Sequence, residues 1–179
     1  MKNSIKNFLL DTSVFLIPLL SIIILVLILY TPRANSYWNF LRQAPFYAGI
    51  YFWQSQRPDA FHFFSAFILG IVADVLEGTP LGINLTTFLI LYFVCIKFAM
   101  KFNIQKFSYS WLLFMVAIVI AMLSKALIVS ISYRHIISLK FLSMEFFLTL
   151  ATYPLLARIY SWVEKRCIPL EERYEKIKS

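Results

Sequence analysis

Glycine, cysteine, histidine and acidic side chains are all scarce in this chain of 179 residues, which has 4 Gly, 2 Cys, 2 His and 9 Asp and Glu together. Cys95 lies in an apolar run and Cys167 in a basic tail, so no disulfide framework or zinc-binding spacing is present. His62 and His135 stand far apart, and we interpret both as polar residues near the ends of apolar segments. The motifs HExxH and GxxxxGK are absent. We therefore expect no metal, no cofactor and no catalytic residues.

Apolar residues dominate what is present. Hydrophobic residues make up 60% of the chain and the mean hydropathy is +0.74, whereas a soluble domain is typically about half apolar. The formal net charge is +8, but no basic helix with interleaved aromatic residues appears, so we do not expect nucleic-acid binding. The basic residues flank apolar segments instead, as residues that orient membrane spans do. The composition predicts an all-α integral membrane protein.

Six apolar segments approach the roughly 20 residues that a spanning helix needs. They occupy residues 13–30, 40–55, 61–76, 80–100, 107–132 and 139–163. The second is the weakest because it contains Arg42, Gln43 and Pro45, and it is either a full span or a re-entrant or interfacial helix. We predict a single bundle of about six transmembrane helices over residues 1–163, followed by a charged cytoplasmic tail over residues 164–179.

The distribution of Lys and Arg predicts the orientation of this bundle. With a cytoplasmic N-terminus, twelve of the 17 basic residues lie on the cytoplasmic side, four lie on the opposite side and Lys125 lies within a span. The twelve are Lys2, Lys6, Arg57, Lys97, Lys101, Lys106, Arg158, Lys165, Arg166, Arg173, Lys176 and Lys178. The four are Arg33, Arg42, Arg134 and Lys140. This bias favours a multi-pass protein with both termini in the cytoplasm.

Three of the four glycines lie close to one aspartate in the third and fourth segments. Ala66, Gly70 and Asp74 are four residues apart, so on a helix they share one face, which we call the small-residue stripe. Small residues at this period let two membrane helices approach closely. We therefore expect another helix to pack on the stripe.

The letters EGTPLG, just after Asp74, combine signals for the end of one helix and the start of the next. Gly78 suits the left-handed position after a helix C-terminus, Thr79 suits an N-cap, and Pro80 suits the first helical position. These signals predict a tight hairpin in which Gly82 lets another group approach the fourth span. Asp74 would then accept hydrogen bonds from the free amides of that span. Its alternative roles are a substrate, ion or proton site, or a contact to a partner protein.

Two further charged residues, Lys125 and Glu145, fall inside predicted spans at a depth similar to that of Asp74. A lysine paired with a carboxylate reduces the cost of burying either group. We hypothesise an intramembrane cluster of Asp74, Lys125 and Glu145. The two acids also form a candidate aspartyl-protease dyad, but no other feature of the sequence supports an enzyme.

The pattern GIVADVLEGTPLG, with Gly70, Asp74, Gly78 and Gly82, resembles the hallmark of the rod shape-determining protein MreD family. The segment APFYAGIYFWQSQRP, with its proline and an aromatic pair ending in Trp53, is similar to that family as well, and the likeness covers about residues 37–97. The resemblance implies a fold similar to the substrate-binding subunits of energy-coupling-factor vitamin transporters, placed in the bacterial inner membrane.

The resemblance also implies a role without chemistry of its own. Members of the family are scaffolds of the cell-elongation complex, which helps to maintain cell shape by organising peptidoglycan synthesis. The implied direct partner is an MreC-like membrane protein. Through it the chain would act with a RodA-type glycosyltransferase, a class B penicillin-binding transpeptidase and MreB filaments, within the lipid of the membrane.

Two surfaces are candidates for docking the span of an MreC-like partner. One is the small-residue stripe at Ala66 and Gly70, and the other is an aromatic face of the second segment at Tyr51 and Trp53, where the neighbouring aromatic residues are Phe46, Tyr47 and Phe52. A belt at the membrane interface is the alternative interpretation of the aromatic residues. The alternative function is a small-molecule-binding subunit of a membrane transporter, which needs a polar cavity lined by Asp74, Asn84, Thr86, Ser124, Lys125 and Glu145.

Overall fold

A computed structural model of the chain describes residues 2–30, 41–101, 107–133 and 139–167, and all regular secondary structure in these residues is α-helical. The six helices are α1 Lys2–Leu29, α2 Ala44–Gln56, α3 Phe63–Glu77, α4 Ile83–Lys101, α5 Phe107–Tyr133 and α6 Leu139–Cys167. The all-α class predicted from the sequence is confirmed. Helices α3 and α4 pack along each other as a hairpin, while α2 contacts α1, α4, α5 and α6.

The helices differ in length, and α4, with 19 residues, is intermediate between three long helices and two short ones. Helices α1, α5 and α6 have 28, 27 and 29 residues, which corresponds to about 40 Å at the usual rise per residue. Helices α2 and α3 have only 13 and 15 residues, or about 20 Å, whereas the hydrocarbon core of a bilayer is about 30 Å thick. Helix α2 is therefore too short to cross the hydrocarbon core, which argues against the interpretation of segment 40–55 as a full span.

Helix α2 forms the buried centre of the bundle. Each of its residues from Ala44 to Gln54 is buried. The prediction that its aromatic residues form an outward face or an interfacial belt is wrong, because Tyr51 and Trp53 are both 0% exposed. Their polar atoms reach neighbouring helices: the Tyr51 hydroxyl donates to the Ser110 carbonyl of α5 (2.8 Å), and Trp53 Nε1 donates to Ser21 Oγ of α1 (3.1 Å). Buried tyrosine and tryptophan usually find such partners.

Gly49 marks the closest approach of the outer helices to α2. A Cβ at this position would lie 2.5 Å from Ile22 Cγ1 of α1 and 3.0 Å from the Tyr160 hydroxyl oxygen of α6. That hydroxyl donates to the Pro45 carbonyl at 2.8 Å. Pro45 lies in the first turn of α2, a position of a helix that suits proline. The absence of a side chain at Gly49 thus lets two helices pack against α2 at the same level.

The outer surface of the bundle carries many apolar side chains. Within the described residues one helical stretch, Tyr109–Tyr133 of α5, is long and apolar enough to cross a membrane, with a mean hydropathy of 2.7 over its most apolar window. Only 33% of that window is buried. Leu127 and Ile131, for example, are 65% and 79% exposed. Two shorter apolar stretches are Leu16–Leu29 and Ile83–Phe98.

Part of the sequence prediction falls outside the described residues. Helix α6 continues to Cys167, so the first four residues of the predicted tail are helical, and residues 168–179 are not described. Phe40, Arg33, Lys106 and Arg134, together with the remaining basic residues of the tail, also lie outside the described ranges. The orientation inferred from these residues stays a prediction.

Candidate functional site

Helix α3 ends at Glu77, and Gly78 follows with φ of +65° in the left-handed region. The N–H groups of both Gly78 and Thr79 point back to the carbonyl of Asp74. Glycine reaches this conformation without a steric penalty. The next helix does not begin at Pro80, as the sequence signals predicted, because α4 starts at Ile83 after a further turn.

The assignment of Thr79 as the N-cap of the next helix is therefore wrong. Thr79 lies four residues before the start of α4, and its hydroxyl donates to Asp74 Oδ1 at 2.9 Å. Thr79 is thus not the N-cap of α4, and its hydroxyl group instead helps to fix the carboxylate of Asp74 at the end of α3. A threonine followed by proline in a sequence does not show whether the threonine is an N-cap of the next helix or a hydrogen-bond donor to the preceding one, because both roles place its hydroxyl group next to a helix end.

Asp74 is 1% exposed, and its carboxylate joins the end of α3 to the start of α4. Oδ1 accepts from the Thr79 hydroxyl and from the Asn84 amide (2.8 Å), and Oδ2 accepts from the Gly82 amide (2.7 Å) and, at 3.4 Å, from the Leu85 amide. Hydrogen bonds to a charged acceptor are stronger than those between neutral groups. All four donors converge on one side chain that belongs to the other arm of the hairpin.

The four N–H groups in the first turn of a helix have no acceptor within that helix. In α4 each of them has a partner. The first and the fourth donate to backbone carbonyls: Ile83 N to Pro80 (3.4 Å) and Thr86 N to Gly82 (3.0 Å). The two between them, the amides of residues 84 and 85, donate to the Asp74 carboxylate. A negative charge at this end also interacts favourably with the helix dipole. Asp74 therefore caps α4 from a neighbouring helix.

Gly82 lets the backbone follow this path. Its φ is +116°, outside the range that residues with side chains ordinarily adopt, and its amide makes the shortest of the four contacts to Asp74. A Cβ at Gly82 would meet no atom within 4 Å. The constraint on this position is therefore conformational, and space around it is not limiting.

The small-residue stripe is already covered by a helix of the same chain. Ala66 is 0% exposed, and a Cβ on Gly70 would overlap the backbone of Leu85 at its Cα atom. The helix that the stripe was expected to receive is thus α4. A partner span could dock at Gly70 only by displacing α4, and Ala66 is buried within the chain, so the structure does not support that candidate surface.

Lys125 and Glu145 meet between α5 and α6. Lys125 Nζ lies 3.5 Å from Glu145 Oε1, and it donates to Gln43 Oε1 at 2.5 Å. The same Gln43 oxygen accepts from the Tyr47 hydroxyl at 3.2 Å. Asp74 is engaged with α4 instead, and it belongs to neither the Arg57–Glu164 nor the Lys125–Glu145 ion pair. The hypothesised cluster is therefore a Lys125–Glu145 pair completed by Gln43.

Sequence reasoning missed the role of Gln43 and considered Asn84 only as a lining residue of a transporter cavity. Gln43 counted against a membrane span in the weak second segment, although its amide oxygen is what the buried lysine needs. Asn84 is 0% exposed, and its Nδ2 donates to Glu77 Oε2 (2.9 Å) and to Thr79 Oγ1 (3.3 Å). Both are polar residues at the edge of apolar segments, a position where a sequence cannot separate an interfacial side chain from a buried one.

The geometry at Asp74 suits a fixed acceptor and leaves little room for chemistry. Four donors occupy the two oxygens, and the residue is almost fully enclosed. In the part of the chain that the structure describes, no group of three or more His, Cys, Asp and Glu side chains is arranged to hold a metal ion. Comparison of the chain with protein-family models, with curated proteins and with solved structures found no match.

Proposed function

We propose that this chain is a multi-pass inner-membrane protein that acts as a non-enzymatic scaffold of the bacterial cell-elongation complex. The support for membrane embedding is the apolar exterior. The outward residues of α5 include Leu112, Leu123, Leu127 and Ile131, each more than half exposed. A fully exposed side chain of this kind costs about 1.5–3 kcal/mol in water relative to an apolar environment, and these side chains would incur the part of that cost that matches their exposed fraction. Lipid removes this cost.

The orientation is part of this proposal. The Arg57–Glu164 ion pair (3.0 Å) brings the end of α2 to the end of α6. The α3–α4 hairpin turn lies at the opposite end of the bundle, since α3 follows α2 after a short connection. Exposed Lys165 and Arg166 lie near the end of α6. A concentration of Lys and Arg favours the cytoplasmic side, which assigns the hairpin turn to the periplasmic side.

The role as a scaffold rests on the use that the fold makes of the family-like residues. Gly70, Asp74, Gly78 and Gly82 carry the resemblance to MreD, and each has a packing or capping role within the hairpin. The single observation that carries the proposal is the saturated, buried carboxylate of Asp74. A residue so enclosed stabilises a rigid hairpin, and a rigid hairpin suits a protein that positions partners.

The proposed direct partner is an MreC-like membrane protein, through which the chain acts with a RodA-type glycosyltransferase, a class B penicillin-binding transpeptidase and MreB filaments. Purification of the tagged full-length chain from its own membranes in mild detergent tests this proposal. We expect an MreC-like protein among the copurified proteins identified by mass spectrometry. Absence of every elongation protein, with the chain itself folded and monodisperse, would refute the proposal.

Cysteine crosslinking tests which face meets the partner. After replacement of the exposed Cys167 by serine, single cysteines are placed at outward Leu127 or Phe147 and at buried Ala66 as a matched control. We expect no crosslink from Ala66 because it is fully buried within the chain. A crosslink from Ala66 to a partner span would show that the hairpin opens, contrary to its proposed rigidity.

A subunit of a small-molecule transporter is the second reading of the sequence. It requires a polar cavity lined by Asp74, Asn84 and their neighbours. Asp74 and Asn84 are instead bonded to each other and to the turn between them. A cavity of about 540 Å³ between α5 and α6 has a mainly apolar lining, with Lys140 and Ser143 as its polar residues. We therefore favour the scaffold.

A further inference from the structure

A second cavity, of about 630 Å³, opens at the other end of the bundle, where α2 ends and α5 begins. Its walls come from three helices and include Phe52 and Gln56 of α2, Ser110 of α5, and Tyr153, Arg158 and Glu164 of α6. Cavities of about 300–1,000 Å³ are typical of sites for small ligands. None of the four residues Gly70, Asp74, Gly78 and Gly82 lines this cavity, whereas Phe52 and Gln56 belong to the second segment that resembles the MreD family.

The inner part of the cavity combines aromatic rings with hydroxyl groups. Phe52 and Tyr153 are almost fully buried, and the Tyr153 ring stacks on Phe114 at 3.9 Å between centroids. The Tyr153 hydroxyl lies 3.4 Å from Ser110 Oγ, which is also 3.4 Å from the Tyr51 hydroxyl. This wall is rigid because each ring is fixed by a neighbouring helix, and it offers both an apolar surface and hydroxyl groups.

Two charged residues, Arg158 and Glu164, line the cavity. Glu164 is paired with Arg57, which lies outside the lining, and Arg57 Nε donates to Glu164 Oε1 at 3.0 Å. Arg158 is exposed and forms no ion pair with any other described residue. Arg158 is therefore the charged lining residue whose charge is not neutralised by an ion pair among the described residues.

The order of residues along α6 explains why this face is amphipathic. Tyr153, Ala157, Ser161 and Glu164 recur at helical spacing, so apolar and then polar groups follow one another towards the end of the helix. Arg158 directly follows Ala157, so its guanidinium group belongs to a residue about one and a half turns from Tyr153 in the same cavity. A guanidinium group recognises a phosphate well because its planar donors match two phosphate oxygens.

We propose that this cavity binds a phosphate ester, with the phosphate on Arg158 and the remainder of the molecule against the Phe52 and Tyr153 wall. The ligand class fits two sources, an anionic phospholipid of the surrounding membrane or a water-soluble phosphate ester of the cytoplasm. The choice of source depends on the membrane location proposed above, whereas the recognition of phosphate by Arg158 does not.

Lipid binding by the full-length chain in neutral detergent tests the proposal. Native mass spectrometry measures the apparent dissociation constant for phosphatidylglycerol, and for phosphatidylcholine with the same acyl chains. Isothermal titration calorimetry measures binding of glycerol phosphate. We expect one tight phosphatidylglycerol per chain, with at least tenfold weaker binding in Arg158→Gln, since a charge-assisted hydrogen bond contributes at least that factor. Lys165→Gln, exposed at the same end and outside the cavity, is the matched control and should bind like the unchanged chain.

The arms of the experiment separate the two sources and locate the site. If glycerol phosphate binds and its binding depends on Arg158, the ligand is a soluble phosphate ester. If phosphatidylglycerol binds and glycerol phosphate does not, the ligand is a lipid. Ser161→Trp, which fills the cavity without changing its charge, should abolish either. Equal weakening by the Arg158 and Lys165 variants, full binding by Ser161→Trp, or no binding of phosphatidylglycerol or of glycerol phosphate would each overturn the proposal. Copurification of an elongation protein is unaffected by any of these outcomes, so the two proposals fail separately.

Discussion

The hairpin makes its strongest prediction at Asp74, through the substitution Asp74→Asn. The variant keeps the size and shape of the side chain and replaces one carboxylate oxygen by an NH₂ group. That group cannot accept a hydrogen bond. Two of the four donors around Asp74 then lose their acceptor, either the amides of Gly82 and Leu85 or the amide of Asn84 and the Thr79 hydroxyl.

The magnitude follows from what those donors lose. A buried N–H left without a partner costs about 1–3 kcal/mol, and bonds to a charged group contribute about 1 kcal/mol more than neutral ones. The turn is partly open to solvent at its tip, because Pro80 and Leu81 are exposed, so the lower part of the range applies to the donors there. We expect Asp74→Asn to lower the free energy of unfolding by about 3 kcal/mol.

Thermal unfolding of the purified chain in detergent, followed by tryptophan fluorescence, measures this loss. A change of 3 kcal/mol corresponds to a fall in Tm of about 6–12 °C for a chain of this size. The matched control is Glu77→Gln, because Glu77 is only half-buried and a glutamine oxygen can still accept from Asn84. Its Tm should fall by no more than about 2 °C. A Tm of Asp74→Asn equal to that of the control would refute the assignment of Asp74 as the cap of α4.

Three further substitutions probe the packing by the same melting assay. Gly70→Ala should cost about 1–3 kcal/mol, because its Cβ would overlap Leu85 and force α3 and α4 apart; a variant as stable as the parent would exclude this close contact. Gly82→Ala should cost about 1–3 kcal/mol through its φ of +116° alone, and an unchanged midpoint would mean that the turn relaxes. Lys125→Ala leaves Glu145 buried without its cation and should cost about 3–5 kcal/mol. Unchanged melting would show that the pair contributes nothing to the fold.

The hairpin illustrates how far local sequence signals reach. Gly78 and the four-residue spacing of Gly70 and Asp74 predicted a helix end, a close helix contact and a carboxylate near the next helix. These features depend on residues that are close together in the sequence or that lie on the two arms of one short hairpin. The connectivity of the chain therefore brings them together without any contribution from distant helices. The start of α4 was placed three residues early because Pro80 is equally compatible with a turn and with a helix N-terminus.

The centre of the bundle shows the opposite case. Helix α2 is short, aromatic and interrupted by polar residues, and those features favoured a peripheral element in the sequence. In the folded chain Tyr51, Trp53 and Gln43 are buried because groups distant along the chain satisfy them, such as the carbonyl of Ser110 and the ammonium group of Lys125. A sequence window contains no information about such partners, since they come from helices that are 59 and 82 residues away.

The sequence by itself determined the helical class, the apolar composition and the end of α3 at Gly78, because each follows from composition, periodicity or the conformational range of a single residue. Only the tertiary structure decided that α2 is the core, that α4 occupies the small-residue stripe, and that Lys125 pairs with Glu145 and Gln43 while Asp74 caps α4. A buried polar group takes whichever partner the packing brings within hydrogen-bond distance, and that choice is made between helices.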